Sequence, residues 1–332
     1  MSRKWIAFAA KLAVSGALIG FLLYGIEDDI EVRDVAARIA GATPGLLALA
    51  GLVMAAQALV CALRWVAVLN AIEAPLRFLK VLQIFLIGTF FNQTLPSSVG
   101  GDPVRMYKAH RAGLSVAAAI NGVMLERAAT VVGLVILVGA TQPVFAARVG
   151  GAAPWMAPAV AMLALAMVAG LALVMVFDRL PARFHRWRVV RGMAALGLDS
   201  RRLFLSPVHA GKAIGWSVVG HANVALGVSL LAASMKIDAT WLDCMALVPP
   251  VLLVTTIPIS IAGWGVREGA MVAGFGFIGV AAADALALSV LFGLVVIVLS
   301  LPGGAIWLFS GERRISERIG ALSATERTPS AE

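Results

Sequence analysis

The stretch GGAAPWMAPAVAMLALAMVAGLALVMVF, residues 150–177, holds no charged side chain over more than the ~20 residues that a helix needs to cross a bilayer. Comparable apolar runs recur along most of the chain. Inside a bilayer the backbone must satisfy its own hydrogen bonds, which a helix does within one segment. The sequence therefore predicts an all-α polytopic membrane protein.

The composition supports this prediction. Hydrophobic residues make up 61% of the 332 residues, charged residues only 14%, and the mean hydropathy is +0.93. The net charge of +9 does not indicate nucleic-acid binding, because the basic residues lie in short loops between apolar runs. Cys61 and Cys244 both lie within apolar runs, so we predict no disulfide, metal site or cofactor. The expected partners are membrane lipids.

The distribution of Lys and Arg predicts the topology. Residues 178–212 hold eight basic residues, and segments such as 64–80 and 105–111 hold three each. All of these can face the cytoplasm only if the apolar run at 81–101 enters and leaves on one side. We predict a single domain, 1–311, in a bacterial inner membrane, with cytoplasmic termini and a polar, disordered cytoplasmic tail at 312–332.

This topology contains about six full spans and two re-entrant or broken hairpins. The hairpins are predicted near 80–113 and 241–281, although the second could also be two short spans. The full spans are predicted near 5–26, 44–66, 114–140, 154–177, 213–235 and 284–310, the first being a retained helix rather than a signal peptide.

Both hairpins contain the same interruption. TLPSSVGGDPVR at 94–105 and TIPISIAGWGVR at 256–267 share Thr, Pro, Ser, Gly, Val and Arg in a gapless alignment. Because the hairpins are predicted to enter from opposite sides, they form an inverted repeat, with which many transporters build a midplane site. Ordinary helix kinks without a ligand are the alternative. The residues of this break motif are Pro96, Ser98, Gly100, Gly101, Pro258, Ser260, Gly263 and Gly265.

Charged residues at membrane depth mark the candidate site. A charge at the bilayer centre costs roughly 2.5–3.5 kcal/mol on insertion scales, so such residues should pair or bind a ligand. Arginine suits phosphate because its planar fork matches the oxyanion. We predict that Arg105, Arg127 and Arg267 converge on a lipid phosphate in at least one conformational state. The supporting acids are Asp102, Glu126 and Glu268, and Glu126 is expected to pair with Arg105 or Arg267. A purely structural ion-paired clamp is the alternative.

The chain resembles the flippase-like transmembrane domain of lysylphosphatidylglycerol synthases. The resemblance lies in residues 88–111 (GTFFNQTLPSSVGGDPVRMYKAHR), in the Glu126–Arg127 pair, and in residues 258–268 (PISIAGWGVRE). It implies translocation of a phospholipid or isoprenoid-type lipid, and more weakly a stand-alone branch associated with hopanoid synthesis. The synthases' soluble aminoacyltransferase domain has no counterpart in the residues that follow 311, so no enzyme activity is expected.

Two other functions stay open. One is a membrane-embedded transferase that acts on lipid head groups, with Glu126 or Glu268 as general base. The other is a non-transporting subunit that assembles with lipid-biosynthesis proteins.

Overall fold

The computed structural model describes residues 32–94, 100–149, 154–179, 187–256 and 264–310, and these parts consist of helices and the turns between them, without a strand. A 3₁₀ turn at Phe177–Arg179 extends the sixth helix. In chain order the α-helices are α1 (Val32–Ala40), α2 (Pro44–Ala71), α3 (Phe78–Thr94), α4 (Gly101–Arg111), α5 (Val116–Val149), α6 (Met156–Val176), α7 (Arg188–Phe204), α8 (Pro207–Ser234), α9 (Trp241–Thr255), α10 (Val266–Gly276) and α11 (Ala282–Phe309).

Five of these helices, α2, α5, α6, α8 and α11, are long and apolar enough to cross a membrane. They coincide with five of the six predicted spans, so the prediction of a polytopic α-helical membrane protein is confirmed. The remaining predicted span, 5–26, lies outside the described residues, as does the predicted tail at 312–332.

Two pairs of short helices occupy the positions of the predicted hairpins: α3 with α4, and α9 with α10. The residues that join each pair, 95–99 and 257–263, lie outside the described part of the chain. Of the break motif, Pro96, Ser98, Pro258, Ser260 and Gly263 therefore lie outside it, whereas Gly100, Gly101 and Gly265 directly precede or begin α4 and α10.

The internal repeat extends far beyond the break motif. Helices α1 to α5 follow the same order as α7 to α11. Helices α2 and α8 each have 28 residues and begin at a proline, Pro44 and Pro207. Helices α4 and α10 each have 11 residues. The chain thus contains two copies of one helical unit.

Contacts between α2 and α8 show that the two copies are inverted. At the start of α2, the amide of Thr43 donates to the carbonyl of Ser234 at the end of α8, at 2.8 Å. Further along, Asn223 Nδ2 donates to Gln57 Oε1 at 3.1 Å and to the Val53 carbonyl at 3.0 Å. Because residue numbers rise along one helix as they fall along the other, these equivalent helices run antiparallel.

The copies also interlock. Helix α3 of the first repeat packs on α11 of the second, and α9 of the second packs on α5 of the first. Where α3 crosses α11, an added Cβ on Gly303 would lie 1.9 Å from the Leu86 carbonyl oxygen, so only glycine permits this approach. The buried apolar side chains form one large cluster around α8 to α11 and another around α2 to α5.

Two features differ from the sequence prediction. Helix α2 continues to Ala71, five residues beyond the predicted span 44–66, and Arg64, counted with the basic segment 64–80, is a buried helical residue. The basic segment 178–212, predicted only as a loop, contains α7. Arg201 of this helix fixes it to the end of α6, because its Nη1 donates to Asp178 Oδ1 at 2.7 Å and to the Met175 carbonyl at 2.6 Å.

Candidate functional site

Charged side chains from three helices of the first repeat form one network, which we call the first cluster. Its members are Arg64 of α2, Asp102 and Arg105 of α4, and Glu126 and Arg127 of α5. Four of these side chains are at most 5% exposed, whereas Arg127 is 40% exposed. With three arginines against two carboxylates, the five side chains carry a net charge of +1.

Glu126 joins α2, α4 and α5 through its carboxylate. Its Oε1 accepts from Nε of Arg64 at 2.8 Å and also from Nη2 of the same guanidinium. Its Oε2 accepts from Nη1 of Arg105 at 3.0 Å. The expected pairing of Glu126 with Arg105 is therefore found, and the arginine from a third helix is Arg64 rather than Arg267.

Asp102 holds the exposed arginine of the cluster. Its two carboxylate oxygens accept from Nε and Nη2 of Arg127, both at 2.9 Å, in a bidentate pair. Arg105 Nη1 is a more distant neighbour of Asp102 at 3.5 Å. Asp102 lies in the first turn of α4, where a negative charge also complements the helix dipole.

Small residues bring α3 and α4 together at this point. A Cβ on Gly101 would lie 2.0 Å from the Gly88 carbonyl oxygen, and a Cβ on Gly88 would lie 2.5 Å from Cγ of Arg105. The amide of Gly101 donates to Asn92 Oδ1 at 2.7 Å, which gives the start of α4 a side-chain acceptor. The Arg105 side chain therefore lies directly against the backbone of α3.

Aromatic rings cover the Arg105 guanidinium, yet its hydrogen-bonding capacity is not used up. Its Cζ lies 4.2 Å from the ring centroid of Trp65 and 5.2 Å from that of Phe85. Within the described part of the chain, neither Nε nor Nη2 of Arg105 has a hydrogen-bond partner, and the same holds for Nε1 of Trp65. Buried polar groups in proteins are nearly always hydrogen-bonded. All three of these atoms are donors, so an acceptor would satisfy them.

A second cluster lies in the second repeat and is electrically balanced. Arg267 of α10 donates to Glu268 Oε1 from Nε at 3.1 Å and from Nη2 at 2.5 Å, and its Nε also lies 3.2 Å from Ser289 Oγ. The Ser289 hydroxyl donates to Glu268 Oε1 at 3.1 Å. The rings of Trp264 and Phe292 flank the guanidinium, with centroids 4.6 and 5.4 Å from Cζ.

Arg267 and Glu268 pair although they are adjacent in sequence, unlike Glu126 and Arg127, whose partners lie on other helices. The cause is the start of α10. Gly265, at φ 87°, precedes this helix, and its amide donates to Glu268 Oε2 at 2.6 Å. This hydrogen bond turns the Glu268 carboxylate back toward the helix start, beside Arg267.

The structure thus brings together Arg105 and Arg127 but places Arg267 in the other cluster. Helix α10 packs on α9 and α11, whereas α4 packs on α3 and α5. Convergence of all three arginines in another conformational state stays a prediction.

Sequence reasoning did not identify Arg64, Trp65 or Ser289 as parts of these clusters. For Arg64 a signal was present: the apolar pattern continues beyond it as WVAVLNA, to the end of α2. No comparable signal marks Ser289, a small polar residue in an apolar helix.

An apolar cavity of about 280 Å³ lies between the two repeats, lined by α2, α3, α8 and α11. Among the described residues, the polar side chains that line it are Gln57 and Thr89. Phe85, which flanks Arg105, and Phe292, which flanks Arg267, both belong to its lining. The cavity therefore borders both clusters.

No curated protein matches this chain. Residues 8–303 match a family described as the lysylphosphatidylglycerol synthase TM region. That stretch includes every residue of both clusters, and the family's name points to a lipid-related role in the membrane. The chain therefore belongs to the lysylphosphatidylglycerol synthase transmembrane-region family.

Proposed function

We propose that this protein transports a lipid with a phosphate head group across the bacterial cytoplasmic membrane, and that the first cluster accepts the phosphate. The observation that carries the proposal is a set of buried donors on Arg105 and Trp65 that find no acceptor among the described residues, in a cluster of net positive charge. An unsatisfied buried polar group costs about 1–3 kcal/mol, and more when charged. A phosphate oxygen would remove this cost.

Arg127 gives the head group a point of first contact. It is the exposed member of the cluster, and its Nη1 is free of the bidentate pair with Asp102. An arriving phosphate can therefore bind Arg127 before it reaches the buried Arg105. Because an arginine offers five N–H donors, Arg127 can hold Asp102 and a phosphate together.

The short hairpin helices support re-entrant hairpins around this site. At 1.5 Å per residue, the 11 residues of α4 or α10 extend about 16 Å, roughly half of the ~30 Å hydrocarbon core. If each hairpin turns back, the basic segments around Arg77, Arg111 and Arg191 all face the cytoplasm, in line with the positive-inside rule. Arg38 and Arg148, on the opposite side, are each paired with an acid, Asp284 and Asp243.

The proposal treats the protein as a transporter without enzymatic activity. Glu126 and Glu268 are each held by two or more hydrogen bonds from arginine, backbone or serine groups. Both carboxylates thus already accept hydrogen bonds within the protein, which supports a structural role for them over that of a general base. The two probe lipids of the assay below compare a phospholipid with an isoprenoid-type lipid as the substrate.

The test is lipid translocation in proteoliposomes. Purified protein is reconstituted with fluorescent phosphatidylglycerol or a fluorescent polyprenyl phosphate, and a membrane-impermeant quencher reports the fraction that changes leaflet. We expect Arg105→Lys to lower the rate about tenfold or more, because hydrogen bonds to charged groups contribute about 1.5–3 kcal/mol each and Lys lacks the planar fork. Arg38→Lys, in the exposed pair with Asp284, serves as the matched control.

Equal rates for Arg105→Lys and the wild type would refute the anion site. A wild-type protein that moves neither lipid would refute the transport function. Chemical alteration of the probe's head group would favour the transferase alternative instead.

A further inference from the structure

We infer that the cavity between the two repeats binds a hydrocarbon chain of the lipid whose phosphate is held at Arg105. The inference rests on the proposed function and adds the second half of the ligand: an amphiphile with an anionic head and a flexible apolar chain. Three features of the cavity carry it, namely its chemistry, its opening and its position beside the first cluster.

The lining of the cavity is suited to a hydrocarbon. The two polar side chains that contribute to it make hydrogen bonds within the protein: Gln57 Oε1 accepts from Asn223 at 3.1 Å, and the Thr89 hydroxyl donates to the Phe85 carbonyl at 3.0 Å. An apolar cavity of ~150 Å³ already stays dry and binds benzene. At about 280 Å³, this cavity has nearly twice that volume.

The cavity has exposed lining residues on helices that can span the bilayer. Ala55 and Pro302 line the cavity and are exposed residues. Both belong to helices long and apolar enough to span the membrane. A lipid chain can therefore enter sideways from the bilayer, without passing through water.

Phe85 connects the chain site to the head-group site. Its ring lines the cavity, and its centroid lies 5.2 Å from Cζ of Arg105. Arg105 carries buried donors without an acceptor among the described residues, so the anionic head and the apolar chain of one molecule would find complementary surfaces next to the same aromatic ring. Charge and polarity together select an anionic amphiphile over a free anion or a neutral hydrocarbon.

Photocrosslinking tests the inference in nanodiscs of phosphatidylcholine. One probe is phosphatidic acid with a diazirine near the end of an acyl chain, and the other is diacylglycerol with the same chain. Mass spectrometry then quantifies labelling of the cavity-lining peptides of α2, α3 and α11. We expect phosphatidic acid to label these peptides about tenfold more than diacylglycerol, a preference equivalent to 1.4 kcal/mol.

Two substitutions test the chain site and the head-group site separately. Ala58→Leu places additional methyl groups in the cavity, in the space that the chain would occupy, and should lower cavity labelling by about tenfold. Ala48→Leu, the same change at an exposed position of α2, should leave the labelling as it is in the wild type. Arg105→Gln should lower labelling by phosphatidic acid to the level of diacylglycerol. Should Ala58→Leu not fold, Ala55→Leu narrows the opening instead.

The outcomes are distinguishable. Labelling by phosphatidic acid that depends on Arg105 but maps outside the cavity, and is unchanged in Ala58→Leu, would overturn this inference and leave the proposed function standing. Equal cavity labelling by both probes, unaffected by Arg105→Gln, would overturn the anion site and this inference with it.

Discussion

Replacing Glu126 by Gln tests whether the first cluster is held together electrostatically. The change keeps the size of the side chain but removes a carboxylate that is 1% exposed and accepts hydrogen bonds from Arg64 and Arg105. Three arginines would then face Asp102 alone, and the net charge of the cluster would rise from +1 to +2. Breaking a buried ion pair by removal of one partner costs about 3–5 kcal/mol.

The expected loss is measurable as a fall in melting temperature in detergent. A change of 1 kcal/mol shifts Tm by about 2–4 °C in domains of ~150–250 residues. At about 2 °C per kcal/mol, the cost of about 3–5 kcal/mol predicts a fall in Tm of about 6–10 °C. Asp238→Asn removes a carboxylate from the exposed loop before α9 and serves as the control. Its effect should stay within about 0.5 kcal/mol.

A double substitution provides the decisive comparison. Arg64→Met combined with Glu126→Gln restores the net charge of +1 and leaves a carbonyl oxygen that can accept from Arg105. Since exchange of a buried ion pair for uncharged groups is often nearly neutral, the double variant should be more stable than Glu126→Gln alone by about 2 kcal/mol. The reasoning is refuted if Glu126→Gln changes Tm by less than about 2 °C, or if the two losses simply add.

Three further predictions concern packing, the arginines and topology. Gly303→Ala should lower the free energy of unfolding by about 3 kcal/mol or more, since the new Cβ meets the Leu86 carbonyl. The control Gly170→Ala, with nothing within 4 Å of the new Cβ, should be neutral or slightly stabilising. Equal effects would contradict the crossing of α3 and α11. Arg127→Lys should slow lipid translocation by about tenfold, because Lys cannot reproduce the bidentate fork. Arg267→Lys should slow it less, because Glu268 and Ser289 already occupy that guanidinium. Wild-type rates in Arg127→Lys would exclude bidentate phosphate binding there. A cysteine at Val190 should react with impermeant thiol reagents only from the cytoplasmic face, and one at Asp238 only from outside. The background labelling should be low because Cys61 and Cys244 are buried. The reverse pattern would invert the topology.

The sequence predicted the spanning helices well because one physical quantity, the length of an uncharged apolar run, determines whether a helix can cross a bilayer. The end of α2 was missed for the same reason. Arg64 interrupts the apolar run, so it was counted with the basic segment 64–80, although its charge is neutralised inside the protein by Glu126 from α5. Helix α7 was missed because its charges were used only as a topology signal and not as the polar face of a helix.

The site was predictable in its residue types but not in its pairing. Arg105, Arg127 and the acids Asp102 and Glu126 could be selected because charged residues at membrane depth need a partner. Their actual partners depend on how α2, α4 and α5 pack, and Arg64 lies 62 residues from Glu126. Charge counting along the chain contains no information about such a contact, so Arg267 and Arg64 could not be told apart as partners of Glu126.

The two repeats use the same arginine in different ways, and the difference can be traced to their sequences. In the gapless alignment of the break motif, Asp102 of the first repeat is replaced by Trp264 in the second. Arg267 therefore takes its carboxylate from the next residue, Glu268, which the start of α10 holds in place, and it gains a second contact from Ser289. Arg105 depends on Glu126 from another helix, and two of its donors have no partner in the described part of the chain. An added anion would have to displace an existing partner at Arg267 but would displace none at Arg105, so anion affinity should be concentrated in the first repeat.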